Sequence, residues 1–199
     1  MAAKKKITLN RRDVVSRIVR DRGDVLIVTG LGSTTWDAAA AGDHPNNFYL
    51  WGGMGGAAVT GLGLARAQPD RRVIVLTGDG EMLMGIGSLA TIGVAAPKNL
   101  AVCVIDNQHY GETGMQETHT GHGVDLAAMA AAAGFAHTGT AWTKKDVEAV
   151  IPHLYETEGP VFIDIKVNTD YVPMVLPLRD GTAIRGRFRE AVLGDRAHD

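Results

Sequence analysis

Hydrophobic residues in this chain fall into short, near-continuous runs separated by segments of helical spacing. Residues 25–29, 72–77, 100–105 and 161–167 are β-branched or apolar at nearly every position. Strands covered on both faces read this way, whereas a half-solvated strand alternates. Between them, residues 11–22, 55–67, 82–95, 126–133 and 143–156 carry helix composition. The last of these opens on Thr143 with Asp146 three positions on, a helix-start signal. Strands alternating with helices predict an α/β fold, here a single doubly wound domain with a mostly parallel central sheet flanked by helices. The domain is expected over residues 11–199, after a basic N-terminal tail at residues 1–10.

The 25 glycines cluster: Gly30 and Gly32, then residues 52–56, 78–87 and 111–123. Three of these clusters follow a strand or close a strand-like run. Ligands of open α/β sheets bind beyond the carboxyl ends of the strands, and glycine lets the backbone approach a ligand closely. The glycines therefore mark one rim of one sheet.

A chain of 199 residues with 45% hydrophobic content suits one domain with a sizeable core. A formal net charge of -2 gives no electrostatic case for nucleic acid. The basic opening is not followed by the apolar run of a signal peptide, and no stretch approaches the roughly 18 apolar residues of a membrane span. A cytoplasmic location is the expectation. The single cysteine, Cys103, excludes a disulfide framework or a Cys-x-x-Cys site, and its apolar surroundings predict a buried thiol.

The sharpest chemistry lies at two strand ends. Thr77-Gly78-Asp79-Gly80-Glu81 closes one strand and opens a helix. A helix start attracts an anion, yet Asp79 would repel a phosphate unless a hard cation lay between them, and magnesium prefers carboxylate, carbonyl and phosphate oxygens. Alone, the turn is equally compatible with a plain loop. The next strand ends in Asp106-Asn107-Gln108-His109, one helix and one strand later, which brings Asp79 and Asn107 side by side on adjacent strand ends. Asn107 can offer a side-chain oxygen and His109 a main-chain carbonyl.

Gly78-Asp79-Gly80, residues 81–105, then Asp106-Asn107 resembles the signature of thiamine-diphosphate-dependent enzymes, whose usual Asn-Asn is here Asp-Asn. The resemblance implies magnesium held by Asp79, Asn107 and the His109 carbonyl. Leu50-Trp51-Gly52-Gly53-Met54-Gly55 is similar to the loop before the central helix in the decarboxylase branch. There a bulky residue, here Met54, bends the cofactor, and the Gly52 carbonyl meets the aminopyrimidine. Core filling is the alternative for Met54. Thr113-Gly114-Met115-Gln116-Glu117-Thr118 resembles a loop of sulfopyruvate and phosphonopyruvate decarboxylases, and Arg187-Phe188-Arg189-Glu190-Ala191 also looks similar to that group. The implied cofactor contacts are Gly30, Ser33, Gly52, Gly53, Met54, Gly78, Asp79, Gly80, Glu81, Met82, Asn107, His109, Tyr110 and Gly111. Glu81 stands where the family commonly has a small residue such as serine.

Full-length members of this family have two α/β domains, and the second supplies a glutamate that activates the pyrimidine. The chain has length for one. The resemblance thus implies the diphosphate-binding subunit of a 2-oxo acid decarboxylase, a lyase in a hetero-oligomer whose partner subunit binds the pyrimidine and supplies the activating glutamate. Three alternatives stand beside it: a carboligase, a 2-oxo acid oxidoreductase subunit, and a non-catalytic assembly subunit.

The other polar candidates read more simply. His119 and His122 are expected to be loop residues, solvated or facing substrate, and not a metal pair. His44, His137 and His153 read as surface or helix-edge positions. Ser33 or Thr34 can cap a helix as readily as touch a ligand. Arg179, Arg185, Arg187 and Arg189 are expected on a solvated or subunit-facing helix.

Overall fold

The structure is a computed structural model that describes residues 6–198. Half of the proposed basic tail, residues 1–5, lies outside the described residues. Leu9 and Asn10, also assigned to that tail, belong to the fold: Leu9 is in the core, and Asn10 caps the first helix through its side chain.

In chain order the elements are α1 (Arg11–Val19), β1 (Leu26–Thr29), α2 (Ser33–Ala40), β2 (Asn47–Tyr49), α3 (Ala57–Ala67), β3 (Val73–Gly78), α4 (Asp79–Met84), α5 (Ser88–Ala95), β4 (Leu100–Asp106), β5 (His109–Tyr110), β6 (Gln116–Glu117), α6 (Leu126–Ala132), β7 (His137–Ala141), α7 (Lys144–Tyr155), β8 (Val161–Lys166) and α8 (Gly181–Leu193), with short 3-10 turns between some of them. Six strands form one sheet in the order β2-β1-β3-β4-β8-β7. Every pairing in it is parallel. The small β5–β6 pair is antiparallel and stands apart.

Alternation along the strands divides the core in two. Ile27, Ile74, Leu76, Cys103 and Ile163 face α1, α2 and α7. Val28, Val75, Val102, Val104 and Phe162 face α3, α5 and α6. Both faces are covered, so β1, β4 and β8 are buried throughout and β3 is buried up to Gly78 at its end. That explains the absence of a polar beat in their sequences. Phe162 packs edge-on to Phe135 at 5.8 Å between ring centres. Burying such a side chain contributes about 1.5–3 kcal/mol.

Several local expectations change. The single helix expected at residues 82–95 is two, α4 and α5, broken at Gly85 and Gly87 where helix propensity is low. The helix expected from residue 55 starts at Ala57. Strands β2 and β7 were not expected, and α2 was anticipated only as a helix that Ser33 or Thr34 can cap; α8 is the helix expected to carry Arg185, Arg187 and Arg189, with Arg179 just before it. Helix α7 opens as expected: Thr143 and Asp146 form a reciprocal capping box.

Candidate active site

The order β2-β1-β3 reverses direction between β1 and β3, the switch point where open α/β sheets bind ligands. A cavity of about 320 Å³ lies there, beyond the carboxyl ends of β1, β3 and β4. Leu31, Ser33 and Thr34 line it from the β1 side, residues 78–81 from β3, and Asn107 with residues 109–113 from β4. Met54 and Met84 form an apolar edge.

The register of β3 on β4 pairs Gly78 with Ile105. Asp79 and Asn107 therefore leave adjacent strands onto the same cavity wall. Asp79 is buried, and its Oδ2 accepts a hydrogen bond from Thr118 Oγ1 at 2.5 Å, with Thr120 Oγ1 3.4 Å away. Burial, with the Asp106 charge second, pushes its carboxyl up to about 7. Asn107 sits in a tight turn: its Oδ1 accepts from the His109 N–H at 2.9 Å, and its carbonyl lies 2.8 Å from His109 Nδ1. An amide oxygen keeps a second lone pair for another partner. Between them Gln108 adopts φ +63°, a region that non-glycine residues rarely occupy. Such strain clusters at functional sites.

Two close approaches explain glycine positions. A Cβ on Gly80 would sit 2.7 Å from the Tyr110 ring. A Cβ on Gly85 would sit 2.0 Å from the Gly55 carbonyl oxygen. The second contact draws the loop carrying Met54 against the end of α4, and so sets the cavity's width.

Glu81 is turned inward. It is buried, accepts from Thr77 Oγ1 at 2.8 Å, and lies close to the backbone amides of Ala57, Gly55 and Leu31. Burial outweighs those donors and raises its pKa. Behind the wall, Thr120 Oγ1 donates to Asp106 Oδ1 at 2.9 Å, and Lys166 donates to Asp106 Oδ2. Lys166 Nζ is also 2.7 Å from Asp164 Oδ2, an ion pair off the line of a hydrogen bond. Burial, then the Asp106 charge, pushes the Asp164 carboxyl up to about 7. Burial works against the Lys166 ammonium, but its two carboxylate neighbours prevail and raise its pKa. Within this cluster three formal carboxylates face one ammonium.

Of the residues expected at the site, Ser33, Met54, Gly78, Asp79, Gly80, Glu81, Asn107, His109, Tyr110 and Gly111 line the cavity. Gly30, Gly52, Gly53 and Met82 are not on its wall. Gly30 is covered by the Glu81 carboxylate. Gly52 and Gly53 belong to the Met54 loop. The Met82 side chain is buried in the core with residues of α3 and the sheet, and Met84 lines the cavity. Sequence reasoning missed Arg11, which lines the cavity while paired to Asp37. It also missed Thr120, Asp164 and Lys166. For the last two a signal existed, because Asp-x-Lys inside an apolar strand places two charges in the core.

Among the described residues no group of three or more His, Cys, Asp or Glu side chains is placed to hold a metal ion. His122 pairs with Glu117 at 3.4 Å and His119 approaches the Tyr110 hydroxyl at 3.4 Å. His137 and His153 stack on one another at 3.8 Å between ring centres. Burial holds the Cys103 thiol protonated, with its pKa raised. No described helix is long and apolar enough to cross a membrane.

Comparison with known proteins agrees with this geometry. Residues 30–165 match the family model described as thiamine pyrophosphate enzyme, C-terminal TPP binding domain. The chain is 43% identical over 125 residues to sulfopyruvate decarboxylase subunit beta of Methanocaldococcus jannaschii, covering 62% of this chain and 66% of that protein. It is 34% identical over 186 residues to the subunit of the same name from Methanothermobacter thermautotrophicus, covering 94% and 97%. It shares its fold with the thiamine diphosphate-dependent 4-hydroxybenzoylformate decarboxylase of Rhodococcus jostii RHA1, with a TM-score of 0.68 and 20% identity over 85% of this chain and 34% of that one.

Proposed function

The chain belongs to the thiamine pyrophosphate enzymes through their C-terminal, cofactor-binding domain, and from that premise we propose that it is the diphosphate-binding subunit of a magnesium-dependent 2-oxo acid decarboxylase whose site is completed by a partner subunit. The observation that carries the reading is the placing of Asp79 and Asn107 on one cavity wall, with Met54 on the edge.

The residues fit the group. A carboxylate, an amide oxygen and a main-chain carbonyl are hard donors of the kind magnesium takes. The cluster behind Asp79 carries two more formal negative charges than positive ones, and a divalent cation supplies the difference. Asp79, Asn107 and the His109 carbonyl would hold magnesium, with the Gly78–Gly80 turn beside the diphosphate. Gly52, Gly53 and Met54 would meet the rest of the cofactor, Met54 as an apolar prop and Gly52 through its carbonyl. When bound, thiamine diphosphate supplies the electron sink for loss of carbon dioxide.

The chain's own groups have narrower tasks. Tyr110 packs on Gly80 and closes the diphosphate side to water. His109 is oriented through Asn107 and stands at the cavity as a proton carrier for substrate or product. Glu81 is committed to Thr77 and packed on Gly30, so pyrimidine activation is assigned to the partner's glutamate. The names of the two relatives, subunit beta, support a partner. The substrate class is a 2-oxo acid bearing a sulfonate or phosphonate.

Calorimetric titration of thiamine diphosphate with magnesium, with and without the polypeptide encoded beside this one, tests the reading. Carbon dioxide release from sulfopyruvate and phosphonopyruvate is followed in the same samples. Turnover that requires both polypeptides is expected. Full turnover by this chain alone removes the partner, and absence of binding in both samples removes the enzyme reading.

A further inference from the structure

The loop after β6 is tied by hydroxyls to the cavity wall that carries Asp79. Thr118, fully buried, donates to Asp79 Oδ2, the oxygen that Thr120 also approaches. The two threonine hydroxyls are 2.9 Å apart. Thr120 is bound in turn to Asp106, and Asp106 accepts from Lys166 and from the Gln108 N–H. The Thr118 N–H bonds the Gln108 carbonyl at 2.8 Å, so its backbone is fixed to the same turn that carries Asn107. Among the described residues, the side-chain hydroxyls that approach the Asp79 carboxylate do so at Oδ2.

We infer that Thr118 is a positioning and specificity residue, which holds Asp79 as a one-oxygen ligand and so selects magnesium over calcium. The inference rests on the cation reading proposed above. With Oδ2 committed to a hydroxyl, Asp79 offers one oxygen. Magnesium is small, octahedral and suited to such a donor, whereas calcium takes both oxygens of a carboxylate and more ligands in looser geometry. Partners that orient a metal ligand typically change metal affinity about 10–100-fold when removed. A clamp that is itself braced by Thr120, Asp106 and Lys166 can impose that geometry, because a freely rotating carboxylate would turn to suit either ion.

The test is cation titration on the full-length chain in the assembly in which it is purified, with thiamine diphosphate present. Mg²⁺ and Ca²⁺ affinities are measured for the natural protein, Thr118→Val, Thr118→Ser and Asp79→Asn. Thr118→Val is expected to weaken Mg²⁺ about 10-fold or more, to alter Ca²⁺ far less, and so to lower the Mg²⁺/Ca²⁺ affinity ratio. Thr118→Ser is expected to restore the ratio, which a purely structural role for the threonine does not require. Thr118→Ala removes the same hydroxyl with less bulk and replaces the valine variant if that one does not fold. An unchanged ratio in the hydroxyl-less variants, while Asp79→Asn loses Mg²⁺, overturns this inference and leaves the cation reading standing. Natural affinity in Asp79→Asn, or no cation binding by the natural protein, overturns the cation reading and this inference with it.

Discussion

The carboxylate of Glu81 fills the space that a side chain at Gly30 would need: a Cβ built on Gly30 would lie 1.4 Å from Glu81 Oε2. Gly30 follows β1 and Glu81 lies within α4, so their contact ties these two units together beside the cavity. Gly30→Ala is therefore expected to destabilise by about 1–3 kcal/mol, the usual cost of overpacking. Gly30→Ala with Glu81→Ala should recover part of that loss. Urea unfolding of both single variants and the double variant gives the coupling, and strict additivity would show that the contact is not the cause.

Asp79→Asn separates folding from binding. An amide keeps an acceptor for Thr118 but carries no charge into the core, where burial penalises the carboxylate. Without metal, this variant is expected to melt no lower than the natural protein. Cation-dependent cofactor binding should be lost in the same sample. A melting temperature several degrees lower would mean that the carboxylate itself holds the fold.

Lys166→Met leaves Asp106 and Asp164 buried without their ammonium. Breaking a buried pair by removing one partner costs about 3–5 kcal/mol. Denaturant unfolding should show a loss of that order, and Asp164→Asn in the same background should return part of it. A loss below about 1 kcal/mol, the range typical of surface pairs, would contradict the buried geometry.

Met54 is 39% exposed, so its truncation touches little of the core. Met54→Ala is expected to leave stability within about 0.5 kcal/mol, as surface changes do. If the side chain props the cofactor, turnover should fall about 10- to 100-fold, the scale of a misplaced reacting group. Equal losses in turnover and stability would return Met54 to simple packing.

Helix α8 is latched to the sheet edge by Arg187, which donates to Asp43 at 2.6 and 3.2 Å, and Tyr49 donates to the same carboxylate at 2.7 Å. Burial works against the Asp43 charge, but these donors outweigh it and hold its carboxyl below the ordinary aspartate range. A depressed carboxyl stabilises the folded state above its unfolded pKa, and that contribution disappears as pH falls through the folded value. Stability should therefore decline as pH drops below about 4, and the decline should be smaller in Arg187→Ala. Urea midpoints from pH 3 to 6 measure it.

The central strands were legible because burial on both faces removed every polar residue but a few at their ends. Strand β2 is three residues, Asn47-Phe48-Tyr49, and β7 reads His-Thr-Gly-Thr-Ala. Both are sheet edges, whose polar composition resembles a loop. Helix α2 lacks a side-chain cap and carries Thr34 and Thr35, while α8 contains Gly181 and Gly186. Neither pattern marks where its helix begins. At the site, the juxtaposition of Asp79 and Asn107 was legible because a single crossover, α4 and α5 followed by β4, joins them. Thr118 and Lys166 reach their partners across 39 and 60 positions. No local pattern records such a distance, and only the β4–β8 pairing and the β5–β6 turn bring them together.

Asp79, beside a lysine shared by Asp106 and Asp164 beneath the rim, also bears on how long the polypeptide survives. An ion that binds only the folded form shifts the balance away from the open chain in proportion to its occupancy. Open chains are what proteases cut when opening is fast relative to cleavage. Ambient magnesium would then govern the turnover of the protein as well as its chemistry, and a chelator would shorten its lifetime before any substrate is present.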